Sequence, residues 1–569
     1  MRSWTRVYDE RVPPSLHPYP HKTLVDLIHE TAEERPNHPA LRFMGATITY
    51  RSLDRWSDQL ARGFAELGVR KSDRVALLMP NSPQAILCQV AAWKAGAIAA
   101  PINALYTDKE LVHALREVSP RLAVVLTPFY GKLKELQSQT PVERVVATAV
   151  KEYLPTRLRL LYTMLKERKE GLRITLHAGD FWLQDLMKRN RGAGRTDNEP
   201  DPEDPALLIF TGGTTGVAKA ALGSHRALFT SGAQITAWFR PVMEPWTDGL
   251  LGNMPLFHIY GNVGVFSTAV VNRAPLTLVP DPRNLNELLA TIERDRPAFL
   301  PGVPTLFSAL LRHPRVRGGT ADLSSIKLCV SGAAPLSSDL KERFERATGG
   351  RMIEGWAMTE TMMGTMMTPV RGEFRPGAIG VPLPDVDVRI VDVDTGEDAR
   401  SEGESGEILV RAPQVMMEYW GEPEATAGIL RDGWIHTGDI GYQDEDGYVY
   451  LVDRKKDLIK PSGFQVWPRE VEEVLTSHPS VSDAAVAGVP DPVRGETVKA
   501  WVVVVAGESL SAAQVRAHCR EHLIAYKVPR EVEFCSDLPK SAVGKVLRRK
   551  LVEMDSASRA TGRNVVPPG

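Results

Sequence analysis

Between Lys22 and about Leu300, short and nearly continuous apolar runs alternate with longer amphipathic ones: TLVDLIHETAEERP, DRVALLMP, AILCQVAAWKAGAIAAPIN, then LAVVL. That alternation predicts βαβ units. Strands apolar at every position, as over Ala206 to Phe210 and Leu276 to Val279, are stable only where helices cover both faces of a sheet. The expected fold class is α/β, with a large N-terminal domain of βα-layered subdomains. A chain of 569 residues also exceeds what one core supports. After VDRKKDLIK (Val452 to Lys460) a shorter unit follows, with apolar strands AAVAGV and AWVVVV and a helix over Ala512 to Leu523. It predicts a small α+β C-terminal domain of about a hundred residues.

The formal net charge of −1 gives the whole molecule no pull towards nucleic acid or an anionic membrane, so partners must be sought locally. Cys88, Cys329, Cys519 and Cys535 are scattered and form no CxxC pair, which speaks against a disulfide framework or a zinc site and fits a reducing cytoplasm. The opening MRSWTRVYDERVPPSLHPYPHK lacks the apolar run of a secretory signal, and no stretch reaches bilayer-spanning length. Residues 151–173, KEYLPTRLRLLYTMLKERKEGLR, form a basic amphipathic pattern with Leu154, Leu158, Leu161, Tyr162 and Leu165 on one stripe. A helix lying on its own domain with a solvated basic face is the commoner outcome of such a pattern; peripheral contact with a membrane is the other.

The strand ALLIF runs directly into TGGTTGVAK, Thr211 to Lys219. Glycines let a backbone turn tightly and bring N–H groups to an anion, and threonine hydroxyls and a lysine add donors and charge. The loop is not a Walker A motif, because Lys219 is preceded by Ala218 and followed by Ala220, so P-loop phosphoryl transfer is disfavoured.

The loop resembles the signature of the adenylate-forming superfamily, which includes acyl-CoA and aryl-CoA synthetases, luciferases and peptide-synthetase adenylation domains. Further motifs follow in that superfamily's order over roughly Thr23 to Leu551: PLFHIYG, SGAAPL, GWAMTET, GEILVRAPQVMMEYW, GWIHTGDIG, DRKKDLIKPSGFQV and LPKSAVGKVLRR. The resemblance implies a large AMP-binding domain over 1–452, a hinge over 453–456 and a small mobile domain over 457–569. It implies ATP and magnesium as cofactors, with coenzyme A and a small-molecule carboxylic acid as substrates. Cysteine usage and residues 151–173 add the expectation of a cytoplasmic enzyme, peripheral at the inner membrane face if 151–173 makes contact, and a homodimer is a further expectation.

Residue by residue, the resemblance implies that Thr211, Thr214, Thr215, Lys219 and the amides of Gly212, Gly213 and Gly216 hold the β- and γ-phosphates. Thr359 adds a hydroxyl, and Glu360 with Thr215 binds magnesium, which prefers oxygen ligands. Without the motif, Thr359 and Glu360 would read as a helix N-cap with a first-turn acid. Trp356 stands where tyrosine is usual and is expected to stack on adenine. Ala333 and Ala334 form the opposite wall, and Glu354, Gly355, Ala357 and Met358 complete the pocket. Asp439 would accept from the ribose hydroxyls, with Arg454 beside it. Lys545 would sit between the incoming carboxylate and the α-phosphate, cancelling charge where two anions meet. His258 would stand at the mouth between carboxylate and thiol. A rotation of the small domain would serve the second step, with Lys456 at the hinge and Lys460 and Gly463 facing the pantetheine tunnel. Asp453, Ala218, Ala220, Ala357 and Glu418 depart from the usual pattern.

The combination of TGGTTGVAK, VDRKKD and LPKSxVGKxLRR looks most like bacterial medium- and long-chain fatty acyl-CoA ligases. Val303, Met358, Met362 and Met363 are candidates for an acyl tunnel, since methionine fills irregular apolar space. An aryl-CoA ligase of the coumarate or benzoate type is the enzyme alternative. A non-catalytic nucleotide-binding protein predicts a defect at Glu360, Asp439 or Lys545, and all three are present.

Overall fold

A computed structural model describes residues 3–169, 172–192, 194–196, 198–211, 218–393, 396, 403–461, 464, 466–491, 494–541 and 544–561. The strands between Arg74 and Ser224, joined at one edge by Glu418–Tyr419, assemble into one sheet in the order Glu418–Tyr419, Ala220–Ser224, Pro205–Phe210, Ile98–Pro101, Arg74–Leu78, Leu122–Leu126, Arg144–Thr148 and Phe181–Trp182. From Pro205–Phe210 onward every pairing is parallel. The first two strands join antiparallel.

The second sheet has a parallel half and an antiparallel half. The parallel half runs Pro39–Phe43, Leu276–Leu278, Leu250–Gly252, Phe299–Gly302, Leu328–Ser331 and Arg351–Trp356, edged by Ala46–Thr49. The antiparallel half continues through Met366–Met367, Ala378–Pro382, Val449–Arg454, Trp434–Gln443, Gly406–Arg411 and Asp387–Val391. The expected βαβ rhythm is thus split between two sheets. The hairpin Pro39–Thr49 pairs with a strand more than 200 residues further on, a register no local pattern announces.

Helix Pro83–Lys94 is apolar on nearly every side, which predicts burial all round, and all twelve of its residues are buried. Its few polar groups are matched except for Gln84 Oε1. The Gln89 and Asn262 amides exchange hydrogen bonds at 2.8 and 2.9 Å, and Lys94 reaches Asp54 and Asp58 at 2.6 Å each. Gly380 has φ +102, and a Cβ there would stand 2.0 Å from the Met367 carbonyl carbon, so neither backbone nor space admits a side chain.

The C-terminal strands Val481–Asp491, Gly495–Val504 and Glu531–Phe534 form a separate three-stranded sheet. Helices Pro468–Thr476 and Ala512–His522 pack on it around Val471, Leu475, Val486, Val502 and Cys519. This α+β unit beside the large α/β body is the architecture expected from the sequence.

Candidate active site

The strands of the parallel half end on one edge, and the loops beyond them build the site. Strand Arg351–Trp356 runs into a three-residue 3-10 turn, Thr359–Thr361, with Thr359 and Glu360 buried. Thr361, rather than Thr359, closes this turn by donating to the Met358 carbonyl at 3.0 Å, so the N-cap alternative for Thr359 does not apply. Met362 and Met363 follow with φ of 46 and 71, left-handed conformations that cost a non-glycine residue about 1 kcal/mol or more each. Gly223 makes this turn possible: a Cβ there would come 2.6 Å from the Met362 sulfur.

Glu360 is gripped from the first sheet. The Tyr419 hydroxyl donates to its Oε1 at 2.5 Å, and the Met416 N–H donates to its carbonyl at 2.9 Å. The Lys219 ammonium lies 5.3 Å from the Tyr419 ring centroid, which brings the end of the glycine–threonine loop to the same place. That loop is clasped at its base, where Thr211 N–H donates to the Lys219 carbonyl at 2.8 Å. Gly212, Gly213, Thr214, Thr215 and Gly216 lie outside the described residues. A buried carboxylate with one oxygen tethered, beside a clasped anion-type loop, fits a hard divalent cation such as magnesium.

Asp439 is 2 % exposed. Its Oδ2 accepts from the Trp356 indole N–H at 3.1 Å, and Arg454 Nε stands 2.9 Å from Oδ1 as an ion pair. Oδ1 nevertheless has no hydrogen bond among the described residues. A buried carboxylate oxygen with lone pairs to spare fits a ligand hydroxyl. Trp356 therefore steadies Asp439 through its ring nitrogen, in addition to any stacking by its face. Ala333 holds φ +65, next to the half-buried Ala334. Glu354 is buried and accepts from Leu336 N–H at 3.2 Å; burial pushes its carboxyl up to about 7. Gly355, Ala357 and Met358 continue the same wall.

Lys545 arrives from the C-terminal unit. Its loop is a tight turn, with Ser541 N–H donating to the Lys545 carbonyl at 2.8 Å and Lys545 N–H to Ser541 Oγ at 3.2 Å. The turn docks on the large domain, where a Cβ on Gly544 would lie 3.2 Å from Thr305 Oγ1 and 3.5 Å from Val303 Cγ2. Enclosure and the Arg454 guanidinium lower the Lys545 ammonium to about 8, against the opposing pull of Asp439. Lys456 is held at about 8 by burial and Arg454, with Asp457, Asp439 and Glu360 opposing. His258 is lowered to about 4 by burial and by Lys545. Its Nδ1 accepts from Tyr260 N–H at 3.2 Å, so the neutral ring carries its proton on Nε2.

Lys460 is not part of this cluster. It lies on the C-terminal unit in a recess with Gly488, Val489, Pro490, Glu496 and Val552, its N–H donating to Glu496 at 2.6 Å. Gly463 lies outside the described residues. Asp453, noted as a departure, is buried where the two parts meet. It accepts from the N–H groups of Arg454 and Arg469 at 2.7 and 2.6 Å, 3.6 Å from Arg548, and burial raises it to about 6. Tyr419, which holds Glu360, is the candidate site residue that the motifs do not point to. Its only signal in the sequence is its place in MMEYW; in the fold it follows Glu418, which pairs with Leu222, and itself pairs with Ala221.

The chain matches the AMP-binding enzyme family over residues 28–420 and the AMP-binding enzyme C-terminal domain over 470–545. It is 38% identical over 558 residues to a long-chain-fatty-acid–CoA ligase of Bacillus subtilis, covering 98% of each chain. A protein of the same name from Escherichia coli O157:H7 is 35% identical over 550 residues, 96% of this chain and 97% of that one. Among solved structures, ATP-bound MatB from Rhodopseudomonas palustris superposes with a TM-score of 0.79 at 29% identity, over 93% of this chain and 98% of that one. The anthranilate CoA ligase AuaEII in complex with anthranoyl-AMP gives a TM-score of 0.80 at 28% identity, over 96% and 99%. With its motifs in order and both domains matched, the chain belongs to the AMP-binding enzyme family of adenylate-forming enzymes, closely related to bacterial long-chain fatty-acyl-CoA ligases.

Proposed function

We propose that the protein uses ATP to activate a carboxylic acid, a medium- or long-chain fatty acid, as an acyl-adenylate, and then passes the acyl group to the thiol of coenzyme A. In the first step a carboxylate oxygen bonds to the α-phosphorus of ATP and the bond to the β-phosphate breaks, releasing pyrophosphate. In the second the thiol sulfur bonds to the acyl carbon and AMP leaves, the thiol proton passing to solvent. The carrying observation is that the Lys545 turn of the C-terminal unit docks on Val303 and Thr305 of the large domain within electrostatic reach of His258, Asp439 and Arg454, while Lys456 beside it feels Glu360.

In this reading Asp439 holds the ribose, Lys545 neutralises the meeting anions, and neutral His258 offers Nε2–H to the acyl carboxylate. Glu360, with Thr215, would hold magnesium, which supplies charge neutralisation of the phosphates. Lys456 and Lys460 belong to a hinge at 453–456 and to the second step. The alkyl preference is supported by identity to long-chain ligases over nearly the full chain and by the apolar side chains of Val303, Met362 and Met363 beside the site.

The test is pyrophosphate release and thioester formation with ATP, magnesium and coenzyme A, across acids from acetate to palmitate plus coumarate and benzoate. Highest kcat/KM with medium or long alkyl acids supports the proposal. Highest kcat/KM with aromatic acids keeps the chemistry and replaces the substrate, and no pyrophosphate with any acid removes the enzyme reading.

Tyr419→Phe tests the grip on Glu360. Losing the hydroxyl frees the carboxylate to rotate, and partners of metal ligands are worth about tenfold or more in metal affinity. Half-saturation by magnesium is expected to rise about tenfold at fixed ATP, with kcat at saturating metal near that of the parent. An unchanged magnesium titration would show that Tyr419 does not position Glu360.

A further inference from the structure

Residues Thr156–Leu161, a π turn over Tyr162–Lys166 and Glu167–Lys169 form one helical stretch. Its orientation inverts the usual rule for a surface helix. Leu158, Leu160, Leu161, Met164 and Leu165 are 41, 59, 53, 74 and 66 % exposed. They are five of the eleven large apolar side chains exposed among the described residues, so apolar exposure in this chain is concentrated on one short helix. The charged Glu167 meanwhile points inward, 7 % exposed, paired to Lys151 at 2.6 Å. The helix therefore does not lie apolar-side-down on its own domain, the commoner outcome for such a pattern.

Its base is fixed. The Tyr153 ring packs edge-on to Trp56 with centroids 6.0 Å apart, and its hydroxyl lies 3.5 Å from the Met187 sulfur. Pro155 lies against Gly45. The exposed face is thus a held feature of the fold.

We propose that this face inserts shallowly into the surface of an anionic phospholipid bilayer. Exposed Arg157 and Lys169 accompany the leucines, with Arg159 paired to Glu152 at 2.7 Å and Arg173 3.8 Å from Glu167 nearby, and cations on an amphipathic helix pair with lipid phosphates while the apolar side chains enter the acyl boundary. No described helix is long and apolar enough to cross a membrane, so the helix lies in the plane of the interface. The charge argues against a second copy of the chain on the same patch, because a two-fold pairing would bring the arginines and lysine of each copy together. The net charge of −1 gives the molecule as a whole no attraction to such a surface, so binding has to come from a local patch of this kind. This docking does not depend on which acid is the substrate.

The experiment is flotation of the full-length enzyme with vesicles of phosphatidylcholine alone or of phosphatidylcholine with phosphatidylglycerol, at low and high salt. The parent is expected to float with the anionic vesicles and to release as salt rises. Leu161→Ser with Met164→Ser and Leu165→Ser should cut the bound fraction at least tenfold, as should Arg157→Glu with Lys169→Glu. Both variants should keep the parent's far-UV circular dichroism and its activity on a short soluble acid. Equal binding to neutral vesicles, no binding to either kind, or variants that float like the parent would each overturn the proposal. So would a parent dimer that the triple serine variant dissolves without any vesicle binding, which would make the face a contact between copies.

Discussion

Lys545→Ala is expected to slow acyl-adenylate formation by about 10²–10³-fold, the usual effect of removing one preorganised charge or donor from a water-poor site. Thioester formation from supplied acyl-adenylate should stay within a few-fold of the parent. The division follows from charge: two anions approach only in the first step, and the thiol attacks after pyrophosphate has gone. The tight Ser541–Lys545 turn, docked on Val303 and Thr305, shows that the ammonium is aimed by backbone contacts which the alanine variant retains. The pH dependence has a definite sign. Enclosure and Arg454 lower Lys545 to about 8, so the charged form is lost as pH rises through that value. The kcat/KM of adenylation should then fall about tenfold per pH unit above it. Bound ATP adds negative charge and favours the ammonium, so the fall in kcat should begin at higher pH than the fall in kcat/KM. Lys545→Arg, charged throughout, should lose this alkaline fall even if its longer fork lowers the plateau. Rapid-quench measurement of each half-reaction decides the matter, and equal loss in both steps would end the assignment.

The sequence carried the fold class because strands apolar at every position and a helix apolar all round, Pro83–Lys94, have few other ways to leave water. It carried the family through ordered motifs. It did not carry what depends on contacts between distant segments. The pairing of Pro39–Phe43 with Leu276–Leu278 is one case, and the bond from Tyr419 to Glu360 across 59 residues is another. The pattern of 151–173 showed that an apolar stripe exists, but periodicity says nothing of which way a stripe faces, and this one faces outward. In the sequence Asp453 is no more than a departure from the usual motif pattern. Its two backbone partners and Arg548 show a carboxylate tying strand Val449–Arg454 to helix Pro468–Thr476. Nor does a sequence choose between alternative dockings of one domain: both Lys545 and Lys460 sit in family motifs, and the structure brings only Lys545 to the cluster with His258 and Asp439.

Asp439→Asn is expected to lower kcat/KM for ATP by about 10²–10⁴-fold, from the loss of up to two charge-assisted hydrogen bonds worth roughly 1.5–3 kcal/mol each. The ribose is present in both half-reactions, so consumption of acyl-adenylate should suffer too, unlike the Lys545→Ala case. A second consequence distinguishes a ribose contact from simple damage to the fold. The Asp439 carboxylate is one of the charges that hold the Lys545 ammonium up, while Arg454 and Lys456 push it down. Neutralising Asp439 leaves three cations with less opposition, so Lys545 should lose its proton more easily and the alkaline fall in adenylation should move to lower pH. A variant that was merely unstable would lose amplitude at every pH without moving that limb. An Asp439→Asn enzyme with a lower plateau and an unmoved limb would show that Asp439 and Lys545 do not share one electrostatic site. A variant with parental ATP dependence would remove the ribose assignment.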